Sequence, residues 1–232
     1  PSLNGRPVPM YRPFSVKAGE ILSLGTAVNG CRTYLSLAGG IDVPLVLGSR
    51  STSIKCCLGG FQGRALRAGD QIPVGRSDVP ASELLSRSAA CPVYKNHVTV
   101  RVIGGPQEDF FTDKGLETFY SSSYTITPES DRMGYRLEGA KIESIGGTDI
   151  ISDAIVFGSI QIPPSGKPII LLADRQTTGG YAKIAAVFSL DLPPLVQCRC
   201  GDTVRFSRIS VEQAQELLNK KGDSYGSILH EP

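Results

Sequence analysis

Two short stretches of this chain gather side chains that can do chemistry. From Asp174 through Arg175, Gln176, Thr177, Thr178, Gly179, Gly180 and Tyr181 to Lys183, a carboxylate, a guanidinium, an amide, hydroxyls, a phenol and an ammonium follow one another closely. An earlier stretch, Ser130 to Gly139, echoes that order with Asp131-Arg132, then Gly134-Tyr135 and a second base, Arg136. Arg132, Arg136 and Arg175 could offer planar forks to carboxylate, carbamate or phosphate oxygens, which lysine reads less specifically. Gln176 and Tyr181 could orient an amide or ureido group, with Tyr135 and Thr177 as further contacts. Asp131 and Asp174 could hold the arginines, or serve as a general base where desolvation raises a carboxyl pKa. The competing reading is structural, because a buried arginine needs a carboxylate and such pairs often only brace a turn. Two pairs on one domain favour a shared cleft, with Asp131, Asp174 and Tyr181 as candidate catalytic groups.

The elements that would position these groups read as β structure. The apolar run Ile169 to Ala173 is a buried strand that feeds directly into the later cluster, and the paired glycines after it permit close backbone approach. Val98 to Ile103 alternates as a strand, and Gly104-Gly105-Pro106 turns it into a helix predicted over 107–120, with Phe110, Phe111, Leu116 and Phe119 on its apolar face. Tyr124 to Thr127 returns to strand, Asp149 to Pro164 is strand-rich, and after Ala185 to Leu190 and a Pro193-Pro194 break further strands are expected around Leu195 to Cys198 and Thr203 to Ser207. Ser210 and Gln213 form a capping box for a last helix that Gly222 should end, leaving a loose tail from Asp223.

The first part of the chain is punctuated by glycines, with strands expected at Ile21 to Leu24 and Arg32 to Ala38. The string AGEILSLG at 18–25 recurs as AGDQIPVG at 68–75 and, more loosely, as CGDTVRFS at 200–207. Each copy sets glycine and an acid at a turn before a strand, so Glu20, Asp70 and Asp202 read as turn residues. Ser49 to Thr52 and Gly59 to Gly63 are possible anion nests, although no P-loop motif occurs. The Ser, Pro and Ala-rich segment Arg76 to Pro92 reads as a linker, which divides the chain into 1–92 and 93–232.

With 24 basic against 22 acidic residues and no basic run, nothing marks a nucleic-acid footprint. No apolar stretch is long enough to span a bilayer and no signal-like start is present, so a cytoplasmic location is expected. Cys31, Cys56, Cys57, Cys91, Cys198 and Cys200 fit reduced thiols, mostly small core residues, and their spacing is not that of a zinc site. His97 and His230 read as surface residues, so no metal is expected. The opening segment PSLNGRPVPMYRP looks like the middle of a protein, which implies an upstream part.

The longest motifs carry a family resemblance. AGGIDVPLVLGSRST, GGFQGRALRAGD, SDRMGYRLEG and SDAIVFGSIQIPPSGKPIILLADRQTTGGYAKIA resemble the second-subunit family of allophanate hydrolase, also called the biotin-dependent carboxyltransferase family. That family includes the C subunit of bacterial 5-oxoprolinase, the KipI antagonist and the carboxyltransferase domain of urea carboxylase. The resemblance implies a mainly β fold of two cyclophilin-like barrel subdomains with a few short helices, the first incomplete at its N-terminus. It also implies hetero-oligomers with a first-subunit family protein and, for 5-oxoprolinase, a third component, the whole opening 5-oxoproline to glutamate with ATP. The chain carries no Ala-Met-Lys-Met-like biotinylation site and no amidase serine signature. A free-standing subunit therefore fits the 5-oxoprolinase role, with ATP consumed by the assembled complex. The alternatives are a carboxyltransferase component that uses biotin carried elsewhere, and a non-catalytic regulator like the KipI antagonist.

Overall fold

The computed structural model describes residues 1–230, with side chains described through residue 220. The chain separates into two units, one of Pro1–Thr26 with Thr33–Pro92, the other of Ala27–Arg32 with the chain from Val93 onward. The short segment Ala27–Arg32 thus belongs with the second unit, which the linear division at residue 92 does not anticipate.

The first unit is made of turns and very short strands. β1 (Ser2–Leu3) lies between β2 (Arg6–Pro7) and β3 (Leu22–Ser23) in an antiparallel sheet, β4 (Thr52–Ser53) pairs with β5 (Leu58–Gly59), and α1 covers Ala81–Ser86. No strand forms across Arg32 to Ala38, whose residues are mostly exposed. Among the described residues, Val43 is this unit's one buried large hydrophobic side chain, while Leu35, Leu45 and Leu66 remain exposed. With so little apolar surface removed from water, this unit forms no closed barrel, and polar ties take over. Arg64 grips Asp70 through two bonds of 2.8 and 2.9 Å, and the Arg67 amide donates to the same carboxylate at 2.7 Å. Led by the Arg64 hydrogen bond, these contacts pull the Asp70 carboxyl down to about 2.

The second unit holds the core. Its strands are β6 (His97–Gly104), β7 (Tyr124–Ile126), β8 (Gly134–Glu138), β9 (Asp149–Ala154), β10 (Ser159–Gln161), β11 (Ile169–Leu171), β12 (Thr178–Tyr181), β13 (Lys183–Val187) and β14 (Thr203–Arg208). Seven close a barrel in the order β10-β11-β8-β7-β14-β6-β13, while β9 and β12 form a separate two-stranded ribbon. The mainly β expectation holds, and its closed barrel is here. β14 and β6 run parallel in continuous register from Thr203 opposite His97 to Arg208 opposite Val102. On these strands Val100, Val102, Val204 and Phe206 alternate inward, as the period-2 pattern requires. β10, β11 and β13 are largely buried on both faces, and Ile160, Ile170 and Ile184 are each 0% exposed. Burying each such side chain contributes about 1.5–3 kcal/mol.

Helix α2 (Asp113–Ser121) lays Phe119 on Phe206, ring centroids 4.4 Å apart. The longer helix expected from residue 107 is broken in two because Thr112 caps α2 by accepting from the Gly115 amide at 3.0 Å. Only a 3-10 turn, Glu108–Phe110, precedes it, and Phe111 bridges to Ser144 in an extended conformation. Leu195 to Cys198 is likewise no strand: α3 (Leu192–Leu195) has proline at its first positions, where the missing N–H costs nothing. α4 (Val211–His230) starts on the expected box, with the Ser210 amide to Gln213 Oε1 at 2.9 Å and the Gln213 amide to Ser210 Oγ at 3.2 Å. It runs past Gly222 instead of ending there, since a helical glycine costs only about 1 kcal/mol.

The three glycine-acid repeats are one turn used three times. At Gly19, Gly69 and Gly201 φ is +83°, +87° and +89°, a region that favours glycine. In each copy the acid accepts the amide three residues back at 2.7 Å: Glu20 from Lys17, Asp70 from Arg67, and Asp202 from Arg199.

Candidate functional site

The two sequence clusters lie side by side. β11 pairs with β8, Ile170 opposite Tyr135 and Leu171 opposite Gly134, and beyond the strands Asp174 donates its amide to the Arg132 carbonyl at 2.9 Å. The ion pairing crosses between the clusters instead of staying within each. Arg132 forks onto Asp174 through Nε (2.8 Å) and Nη2 (3.1 Å), and the guanidinium, first by its hydrogen bond, holds the Asp174 carboxyl below the usual range. Both side chains are more than half exposed, which makes this a surface clasp. Among the described residues Asp131 pairs with no arginine; its Oδ1 accepts the amides of Met133 (2.8 Å) and Gly134 (3.2 Å) in a local turn. The lowered Asp174 carboxyl is the opposite of what a raised-pKa base needs.

The remaining residues of the clusters diverge. Tyr135 points into the barrel, 3% exposed, where its hydroxyl accepts from Arg32 Nη1 at 2.8 Å and faces the carbonyls of Val196 and Cys198. Arg136 follows it on the outward side of β8 and is exposed. Arg175 turns back onto carbonyls, Ile155 and Leu172, each at 3.3 Å, and lies over the Phe157 ring. Gln176 and Thr177 are exposed or nearly so ahead of β12, and Tyr181, on that ribbon, is 39% exposed. Arg132, Asp174 and Arg175 are therefore gathered at one end of β11, while Tyr135 and Arg136 point away from each other.

A different constellation stands out on burial. Lys183 opens β13 with its side chain 5% exposed, and its ammonium donates to Asp153 Oδ2 at 2.6 Å and to the Ala154 carbonyl at 3.1 Å. Gln107 brackets the same residue, its Oε1 accepting the Lys183 amide at 3.1 Å and its backbone amide reaching the Lys183 carbonyl at 3.4 Å. Gly105 makes that approach feasible, because a Cβ there would stand 2.1 Å from the Lys183 carbonyl oxygen. The Lys183 hydrogen bond is the largest influence lowering the Asp153 carboxyl, with Gln107 adding to it. Beside this group opens a cavity of about 430 Å³ lined by Pro106, Gln107, Asp109, Phe110, Asp149, Ile150, Ile151 and Asp153. That volume is within the range of small-molecule sites.

Both strands that carry the pair are irregular where they carry it. Between β10 and β13 the register passes from Ile160–Ala185 to Gln161–Lys183, which leaves Ile184 as the extra residue. Between β12 and β9 it passes from Gly179–Asp153 to Tyr181–Asp149, a second shift. Bulges re-aim side chains and are over-represented beside sites. None of the nine residues marked by the sequence clusters lines this cavity. The sequence signal for Lys183 and Gln161 was a polar residue adjoining apolar ones, in KIAAV and SIQIP. Nothing in spacing marked Gln107 or Asp153.

In the two expected anion nests, several amides are used within the turns. Ser49 donates to the Val46 carbonyl, Ser51 to the Ser49 hydroxyl, and Gly63 to the Gly59 carbonyl. Those three amides hold their own turns, and no step involving ATP is derived from these segments. The cysteines also depart from expectation: Cys198 is buried, and its thiol is pushed up to about 12 chiefly by burial, but the other five are exposed.

The fold is thus a closed β-barrel with a buried lysine paired to a half-exposed carboxylate beside a cavity. Residues 1–208 match the family model described as carboxyltransferase domain, subdomain A and B, and the chain belongs to that family. It is 39% identical over 94% of its length to the 5-oxoprolinase C subunit of Haemophilus influenzae and 37% identical over 86% to that of Escherichia coli. The aligned regions span 69% and 63% of those two relatives. Among solved structures it resembles the K. lactis urea amidolyase with a TM-score of 0.82 and 30% identity, covering 96% of this chain and 15% of that one.

Proposed function

We propose that this chain is a subunit of a hetero-oligomeric, ATP-dependent amidohydrolase that opens 5-oxoproline to glutamate. It would act in the cytoplasm with a first-subunit family partner and a third component. The reading draws on the two relatives named as C subunits of 5-oxoprolinase. The observation that carries its chemistry is the buried Lys183 ammonium paired with Asp153 beside the cavity. An ammonium has three donors, and among the described residues two meet protein acceptors. The third serves a substrate oxygen, either the ring carbonyl as negative charge develops on it or the carboxylate. Asp153 fixes the ammonium in position, and Gln107 steadies the strand beneath it. In this reading Arg132 and Asp174 brace the loop after β11, and Gln176, Thr177 and Tyr181 form its outer rim.

The likeness to urea amidolyase favours a second reading, carboxyl transfer from a biotin held on another module. Co-expression with the partner proteins, followed by an assay for ATP-dependent glutamate release, separates the two. Glutamate formation from 5-oxoproline without biotin supports the first. Carboxylation of urea or another amide, dependent on a biotinylated partner, supports the second. Stable binding to the partners with neither turnover would move the chain to a regulatory role.

A further inference from the structure

Gln161 ends β10 between the fully buried Ile160 and Ile162 and is itself only 2% exposed. A buried amide costs free energy unless its hydrogen bonds are made, so its position calls for a reason. Its Nε2 donates to the Tyr181 carbonyl at 3.1 Å, crossing from the barrel strand β10 to the ribbon strand β12. Its backbone pairs with Lys183 at the register shift of β10 against β13. On β12, two residues before Tyr181, Gly179 pairs with Asp153. One residue thus touches the strand that carries the lysine and the ribbon that carries its carboxylate.

Gly179 shows how closely the amide is fitted. A Cβ at that position would stand 2.9 Å from Gln161 Nε2 and 2.6 Å from Ile155 Cδ1, so the amide reaches Tyr181 through space that only glycine leaves open. Between Gly179 and Tyr181 the ribbon advances two residues on β12 against four on β9, from Asp153 to Asp149. The Gln161 bond lands at the Tyr181 end of that offset and pins it.

We infer that Gln161 is a positioning residue, the clamp between barrel and ribbon that seats Asp153 on Lys183. The inference rests on the reading of Lys183 and Asp153 as the site. Losing the clamp lets the ribbon move relative to the barrel, and the carboxylate then leaves the ammonium without any change in either charged residue.

The test uses Gln161→Met, close in volume but without the donor, in the chain assembled with its partner proteins. We expect kcat to fall on the order of 100-fold, the scale of a misplacement of about 1 Å, with a much smaller change in KM. In the full-length chain, the Asp153 carboxyl carbon, followed by NMR, should titrate nearer the ordinary carboxylate value. Gly179→Ala should cause the same losses by displacing the amide, and the double variant should be little worse than either single one. Should Gln161→Met fail to fold, Gly179→Ala carries the same measurements. Wild-type kcat and wild-type Asp153 titration in a folded Gln161→Met protein would overturn the clamp while leaving the site reading intact. Full activity in Lys183→Met would overturn the site reading instead, and the Asp153 titration alone would then decide whether Gln161 seats the pair.

Discussion

Replacing Lys183 by methionine should separate stability from function. The ammonium is almost wholly buried, whereas its partner Asp153 is about half exposed at 52%. After Lys183→Met the carboxylate left behind can hydrate, and methionine occupies most of the space of the lysine stem. Replacing a buried ionic group by an apolar one of similar volume is often neutral, so unfolding free energy should stay within about 1 kcal/mol of wild type. Lys183→Ala lacks that compensation: losing the aliphatic stem removes about 0.8 kcal/mol per methylene, roughly 2–3 kcal/mol in all. The catalytic effect should run the other way in size. If the ammonium stabilises developing charge on a substrate oxygen, its loss costs kcat a factor on the order of 100 to 1,000 in either variant. Urea denaturation followed by circular dichroism gives the first quantity, and ATP-dependent glutamate release by the assembled complex gives the second. A Lys183→Met protein with wild-type turnover would refute the reasoning. So would one that loses turnover only because it no longer folds.

The surface clasp makes the opposite prediction: Arg132→Ala should cost less than about 1 kcal/mol in a urea melt, as exposed pairs do, and should leave turnover unchanged. Asp70 gives the first unit a pH dependence of defined sign. Its folded carboxyl sits at about 2 against an ordinary 3.8, so its contribution is present above about pH 4 and is lost as pH falls through about 2. Asp70→Asn should flatten that part of the stability profile. Thiol titration of the native chain should modify Cys31, Cys56, Cys57, Cys91 and Cys200 readily, with Cys198 reacting only on unfolding.

The barrel was largely legible in the sequence because its strands alternate or run apolar over strand length. The capping box at Ser210 and the glycine-acid turns were legible because their hydrogen bonds are local. What escaped depends on pairing between distant segments. Spacing correctly put Asp131-Arg132 and Asp174-Arg175 in view of each other, yet it could not show that Arg132 takes Asp174 while Asp131 closes its own turn. Tyr135 looked like a ligand contact from its neighbours, although the pleat of β8 sends it inward and Arg136 outward. The proposed pair joins residues 153 and 183 through two register shifts, and a register shift has no signature in composition. Lys183 stood in the sequence cluster, but its burial became visible only once β13 was placed between β10 and β6.

The most direct test of the site is to locate the bound small molecule. A structure of the assembled complex with 5-oxoproline should show a substrate oxygen within hydrogen-bond distance of Lys183 Nζ, in the cavity between Gln107 and Ile151. Substrate bound instead at the Arg132–Asp174 clasp, with Lys183 untouched, would contradict the account.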